Sequence, residues 1–420
     1  MMALRGLAAL ILILLPACAD GKISFDEYRN RRSELRKANG DAVTILFGGM
    51  EKEHGDLRSG FFQESNFYYL TGWTESGAIL VMTPSSEVLL IPRRNREQEK
   101  WTGPKLSPED SGVQSVTGFD SVLPAEQFES NLFKWAEAGK GIVALFDDPR
   151  TDALKKLLPL REFKDAAQPI AKLRMKKSSA EIALIQHATD VTLDAHRAAW
   201  NNIRPGLTEF QVAATMSGVY FGAGCERSAY APIVGSGPNG AILHYSRNSR
   251  TLDRGELVLM DVAAECSMYA SDITRTVPVS GKFSDRQREL YDIVLGAQNA
   301  VISAIKPGMT IAGTTATSLN QIAIDYLNSH GKDKHGNPLG KYYTHSIGHH
   351  VGLDVHDPSD KSPLVPNMVI TVEPGLYIPE ESIGIRIEDM VLVTENGAKL
   401  MSSGLPREAG EIEKVLSSRQ

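Results

Sequence analysis

Four carboxylates in this sequence stand where carboxylates are costly. Asp261 closes the apolar run Leu257-Val258-Leu259-Met260, and Asp272 lies within Ala270–Val277. Glu373 closes Met368–Val372, and Glu388 closes Ile383–Ile387. Burying one ionised carboxylate among Val, Ile, Leu and Met carries a large desolvation penalty. Four that converge need cations, and a pair of divalent metals, chelated and bridged by the acids, answers that need. A lone Asp in a strand is more often a solvated strand end. The placement of all four by a repeat argues against that reading. The segment His345-Ser346-Ile347-Gly348-His349-His350-Val351-Gly352-Leu353-Asp354-Val355-His356 holds four of the ten histidines. One imidazole ligand favours Mn, Co or Zn over Mg or Ca. The others are suited to hydrogen bonding and proton movement near neutral pH. Gly348 and Gly352 permit close backbone approach. His244, after the turn Asn239-Gly240, is a weaker candidate for the same pocket.

The elements that must carry these groups occur twice. Ser178-Ser179 precedes a helix with Ile182, Ile185, Thr189, Thr192 and His196 at helical spacing, and Arg204-Pro205-Gly206 must stop it. Thr208 and Gln211 then form a capping box for a second helix. About a hundred residues on, Ser284 and Gln287 open a helix that runs to Lys306-Pro307-Gly308, and Thr310 is expected to start another. Ile203-Arg204-Pro205-Gly206-Leu207-Thr208 and Ile305-Lys306-Pro307-Gly308-Met309-Thr310 match closely, which predicts two half-domains of one plan. Each half should follow its helices with a strand pair: 257–262 with 270–277, and 368–373 with 383–388. Each pair would carry two of the acids.

Upstream, Val43–Phe47, Ala78–Met82, Val88–Ile91 and Ile142–Phe146 read as strands, and Glu126–Glu137 and Asp152–Leu158 as helices. That is an α/β pattern. The basic stretch Ala171–Lys177 should lead into the second domain. Residues 1–20 read as an export signal: a charged start, the apolar run Leu7–Leu15, then Pro16-Ala17-Cys18-Ala19. The protein is expected to be periplasmic or secreted, with a lipid anchor on Cys18 as the alternative. No later segment is long and apolar enough to span a bilayer. With only Cys18, Cys225 and Cys266, removal of the signal leaves room for one disulfide at most, and Cys225 and Cys266 lack zinc-site spacing. A net charge of −6 with no long basic run argues against a nucleic-acid partner.

Taken together, these motifs resemble the proline-specific peptidases related to methionine aminopeptidase, above all aminopeptidase P and prolidase. Gln63-Glu64-Ser65-Asn66-Phe67-Tyr68-Tyr69-Leu70-Thr71-Gly72, Ile91-Pro92-Arg93-Arg94 and Trp101-Thr102-Gly103-Pro104 are similar to the aminopeptidase P N-terminal domain. The phrases around Asp261, Asp272, His349, Glu373 and Glu388 match the family's five-ligand signature in order. The resemblance implies an α/β N-terminal domain over 21–170. It implies an α+β pita-bread (creatinase/aminopeptidase-like) catalytic domain with an internal pseudo-two-fold repeat over 171–420. It implies two divalent metals, manganese first and cobalt or zinc as alternatives. Asp261 would chelate one metal, His349 would bind the other, Asp272 and Glu388 would bridge, and Glu373 would complete the shells and handle a proton. A hydroxide between the metals would attack the scissile carbonyl. His244, His345 and His356 would bind substrate and steady the tetrahedral intermediate, with Arg386 nearby and Tyr377 and His350 as walls of a proline pocket. The implied substrates are peptides with proline second, and the implied assembly is a homo-oligomer, dimer or tetramer. An Xaa-Pro dipeptidase is the near alternative, and a non-catalytic binding module the remote one.

Overall fold

The computed structural model describes residues 22–51 and 60–418 of the 420. The export signal expected at 1–20 lies outside them. The first part is a six-stranded mixed sheet in the order β4-β3-β2-β1-β5-β6. Its strands are β1 (Val43–Phe47), β2 (Ile79–Met82), β3 (Glu87–Ile91), β4 (Val122–Pro124), β5 (Ile142–Ala144) and β6 (Phe163–Asp165). Side chains alternate across a strand, so one strand feeds two cores. Val43, Ile45 and Phe47 pack with Phe128, Leu132, Trp135 and Leu154. Those last four come from the helices Phe128–Glu137 and Pro149–Leu157. Leu46 faces the other way, into the main core with Leu35 of helix α1 (Phe25–Asn39) and Phe67 of helix α2 (Ser65–Thr71).

The basic stretch before the second part is the end of a helix, α3 (Ala167–Met175). Lys172 and Lys176 are exposed, but Arg174 and Lys177 are buried. Arg174 donates to Asp354 and Asp357, and Lys177 donates to Asp357 at 3.0 Å, all but Asp354 buried. Arg174 also reaches Asn66, and Ser65 donates to Asp354, so this cluster ties α2 and α3 to the chain on either side of His356.

The second part follows the repeat. Helix α4 (Ser179–Asn202) opens on a Ser178–Glu181 capping box and α5 (Glu209–Gly222) on Thr208–Gln211. Helix α6 (Asp285–Ala304) opens on Ser284–Gln287. Gly206 and Gly308 take positive φ in the two matching stop turns, a conformation side chains disfavour. The fourth helix differs from expectation. It does not start at Thr310: α7 spans Leu319–His330, capped by Ser318 accepting from Gln321. Thr314, Thr315 and Thr317 are poor helix formers, and Gly313 sits at φ +126°. The chain loops out there and returns to pair Thr310 with Ser318.

The strands carry a second correction. The expected strand 270–277 is broken: it splits into Tyr269–Ala270 and β9 (Thr274–Pro278), leaving Asp272 in the gap. Strand β7 (Ile233–Ser236) and β8 (Leu257–Asp261) complete its sheet, with Thr274 opposite Asp261. In the other half, β10 (Val369–Val372) does not pair with 383–388. That segment's strand, β12 (Ile383–Arg386), pairs with β11 (Gly375–Ile378), and β10 pairs with β13 (Asp389–Thr394). Glu388 lies in the gap between β12 and β13, and Val372 stands opposite Asp389. The two halves meet where the Glu388 N–H donates to the Thr274 carbonyl at 3.0 Å. One disulfide, Cys225–Cys266, joins the chain after α5 to the strand Ala264–Cys266. Among the described residues, no helix is long and apolar enough to cross a membrane.

Candidate active site

Each acid stands where a strand ends or breaks, so its side chain leaves the ladder and enters one cavity. That cavity is about 540 Å³ and is lined by Asp261, Asp272, His349, Glu373 and Glu388. His244, His345, His356 and Arg386 line it too, as do Tyr230, Ile233, Leu243 and Val355. Asp272, His349 and Glu388 bring ligand atoms within 4.8 Å of one another. Tyr377 and His350, expected as walls of a proline pocket, are not among its lining residues. The Tyr377 hydroxyl instead sits behind the site, 2.8 Å from His345 Nε2 and 2.7 Å from an Arg386 guanidinium nitrogen. His350 is buried, bridged by backbone to Asp357 and Ile370.

Backbone geometry requires the two glycines in the histidine segment. A Cβ on Gly348 would lie 2.2 Å from the Thr371 carbonyl, and one on Gly352 would lie 2.7 Å from an Asp357 carboxylate oxygen. His349 is thereby laid against β10, where Thr371 accepts from its N–H at 3.1 Å. Its Nδ1 faces the His350 carbonyl at 3.1 Å. With Nδ1 donating there, Nε2 is the free nitrogen, 3.4 Å from both Asp272 and Glu373. A ring oriented by a carbonyl on one nitrogen, with the other turned toward carboxylates, is the arrangement of a metal-ligating histidine.

The electrostatics point the same way. Burial, then Asp272, Glu373 and Asp261, drive the Glu388 carboxyl far above the carboxylate range. Burial raises Glu373 to about 7 against the pull of His349. Burial also raises Asp261, opposed by Arg386, which donates to it. His349 is pushed up to about 9, because Asp272 and Glu373 outweigh its burial. Burial lowers His345 to about 4 and also lowers His356. Four acids thus face one guanidinium and one imidazole, and the donor set suits divalent cations.

A prediction follows for metal-stripped protein. Glu373 and His349 both hold protons more tightly folded than unfolded, so the folded state binds more protons and stability falls as pH rises. The histidines lowered by burial contribute with the opposite sign up to the ordinary histidine value of about 6.5, so the window runs from about 6.5 to about 9. The melting temperature of stripped protein should drop across that window, while addition of manganese should restore it most at the alkaline end. A stripped protein whose Tm is flat from about pH 6.5 to about pH 9, within about 1 °C per unit, would contradict this charge balance.

Several residues at the site carried no signal in the sequence. Tyr230, from the loop before β7, sets its hydroxyl 2.5 Å from both Asp261 and Asp272. Thr274 donates to Glu388 at 2.6 Å, and Thr371 donates to Glu373 at 3.3 Å.

Comparison with known proteins decides the family. Residues 183–395 match the sequence model of Metallopeptidase family M24. The chain belongs to that family. Residues 28–143 of this M24 protein match "Aminopeptidase P, N-terminal domain". The Xaa-Pro aminopeptidase of Haemophilus influenzae is 33% identical over 434 residues, covering 94% of this chain and 98% of the relative. Human Xaa-Pro aminopeptidase 3 is 31% identical over 452 residues, covering 96% and 88%. The Escherichia coli aminopeptidase P solved with the inhibitor Pro-Leu superposes at a TM-score of 0.86 with 30% identity, covering 95% of this chain and 99% of that one. The architecture is accordingly an N-terminal domain of the aminopeptidase P type followed by a pita-bread catalytic domain. M24 membership makes this a divalent-metal hydrolase.

Proposed function

We propose that this M24 protein removes the first residue from peptides whose second residue is proline. The observation that carries the reading is the convergence of Asp261, Asp272, His349, Glu373 and Glu388 on one cavity. Its near full-length likeness to Xaa-Pro aminopeptidases supports the same substrate class. Two divalent ions would be held there by Asp261, Asp272, His349, Glu373 and Glu388: Asp261 would serve one ion, His349 the other, Asp272 and Glu388 would be shared, and Glu373 would complete the set. Manganese is the first choice for four carboxylates and one imidazole, with cobalt or zinc as alternatives. Metal in such a site lowers the pKa of water and polarises the scissile carbonyl.

The protein's own groups do the rest. Glu373, with a carboxylate oxygen 3.4 Å from His349 Nε2, is placed at the cavity to hold and return a proton during turnover. His356 and His244 line the cavity, placed to donate to the substrate carbonyls and to the oxygen that gains charge, and His345 lines it with its Nδ1 on the Ser346 carbonyl and its Nε2 on the Tyr377 hydroxyl. The Tyr377 hydroxyl orients His345. Arg386, held by Asp261 and Tyr377, fixes the floor of the site. Long peptides rather than dipeptides are the proposed substrates; an Xaa-Pro dipeptidase is the second reading, since it uses the same ligands.

We also propose export, to the periplasm or beyond, with Cys18 lipidation as a variant. The Cys225–Cys266 disulfide supports an oxidising compartment. A homo-oligomer is proposed as well; the indole of Trp101, 88% exposed on the N-terminal domain, supports it.

Metal analysis tests the centre. Protein dialysed against manganese should retain two ions per chain, and His349→Ala about one. Retention of none by the parent protein, at about 1 µM free metal, would contradict the assignment.

A further inference from the structure

The strand breaks that release the acids also strand backbone groups. Ile273 sits in the gap beside Asp272, and Ile387 in the gap beside Glu388. Val372 ends its strand beside Glu373. Buried carbonyls at such places must find other partners. Two helix side chains, neither of them in the cavity, supply them.

His196 on α4 is fully buried, and its Nε2 lies 3.2 Å from the Ile273 carbonyl. That carbonyl also accepts the N–H of Val262, the residue after Asp261, at 3.4 Å. One oxygen thus joins the backbone beside Asp261 to the backbone beside Asp272, and His196 holds it. Gln298 on α6 is equally buried. Its Nε2 lies 3.0 Å from the Val372 carbonyl, 3.0 Å from the Ile387 carbonyl and 2.9 Å from an Asp389 oxygen. It spans the backbone beside Glu373 and the backbone beside Glu388.

These two residues occupy the same place in the repeat. Ile203 and Ile305 open the matching stop turns and differ by 102 positions, and so do His196 and Gln298. Their helices end at Asn202 and Ala304, again 102 apart. Each half therefore drives one long polar side chain from its first helix into the gap beneath its own pair of acids. Nothing about burial alone requires this, since an apolar side chain would fill the space at no desolvation cost.

We propose that His196 and Gln298 are repeat-equivalent positioning residues that set the spacing of the two carboxylate pairs and so tune the affinity of the site for divalent metal. The inference rests on the ligand assignment above. Partners one shell out from metal ligands influence affinity by orienting them, typically by 10–100-fold.

The test uses the full protein, stripped and titrated with manganese chloride by calorimetry. His196→Leu and Gln298→Met should each weaken manganese binding by about tenfold or more. His196→Gln should restore near-parental affinity, because an amide at that position can donate to the Ile273 carbonyl as Gln298 does to its own. Thr151→Val serves as the stability control, since Thr151 is fully buried in the N-terminal domain and bonds the Leu145 carbonyl. It should lower the melting temperature without changing manganese affinity. Gln298→Met leaves Arg275 and Ser402 on Asp389, so it carries the test if His196→Leu does not fold. Unchanged manganese affinity in Gln298→Met, alongside lost binding in Asp272→Asn, would overturn the positioning role and leave the ligands standing. Binding retained in Asp272→Asn would overturn the ligand assignment itself.

Discussion

Asp272→Asn should remove bound metal and lower kcat/KM at least about 10³-fold, which corresponds to about 4 kcal/mol of transition-state stabilisation. Asparagine keeps the size of the side chain but offers one neutral oxygen, which cannot bridge two cations. Asp272 faces His349 Nε2 at 3.4 Å and the Tyr230 hydroxyl at 2.5 Å, so its loss touches both halves of the cluster. The same substitution deletes one of the charges that push Glu388 and Glu373 upward and one of those that hold the His349 proton, so the two effects offset in the metal-free fold. A retained melting temperature without metal, together with no gain on adding metal, separates loss of a ligand from general damage. Parental activity in a metal-replete Asp272→Asn protein would sink the scheme.

The second large effect concerns the residue after the scissile bond. A peptide with proline in second place presents a tertiary amide and a compact ring. Apolar side chains of Ile233, Leu243 and Val355 share the lining of the cavity with the histidines. Ring contacts of that kind discriminate by about 1–3 kcal/mol per methylene, and proline's ring also arrives already ordered. Preference for Arg-Pro-Pro over Arg-Ala-Pro should therefore reach about 100-fold in kcat/KM. An M24 protein of the aminopeptidase P type should also prefer the tripeptide to Gly-Pro. Equal cleavage of the proline and alanine tripeptides would remove the specificity while leaving the metal centre intact.

How much of this was written in the sequence follows from what each feature depends on. The four clustered acids were legible because costly groups in apolar strands need a common cause, and the repeat supplied it; His349 was picked out from its neighbouring histidines only by the family resemblance. The capping boxes at Thr208 and Ser284 were legible because a cap is a local contact, made within three residues. The start of α7 was not, because Thr310 had to be weighed against a threonine-rich loop whose return to Ser318 is not local. The breaks at Asp272 and Glu388 were hidden because strand propensity runs straight through them. Only pairing partners show that β12 leaves the ladder. Tyr230 lies 31 and 42 residues from the acids it touches, with no motif around it. The hydroxyl contacts of Tyr377 were hidden, since its partners His345 and Arg386 stand 32 and 9 residues away. Arg174 and Lys177 read only as part of a basic stretch leading into the second domain, and Asp357, their buried partner, lies 180 residues or more away.

The central claim is metal-dependent cleavage before a penultimate proline, and one assay meets it directly. Metal-stripped protein would be given Arg-Pro-Pro, Gly-Pro and Arg-Ala-Pro, each with and without added manganese, and release of the first residue would be followed. The account predicts release of arginine from Arg-Pro-Pro only when manganese is present, with Gly-Pro slower and Arg-Ala-Pro slowest. Manganese-bound protein that cleaves none of the proline peptides would contradict it.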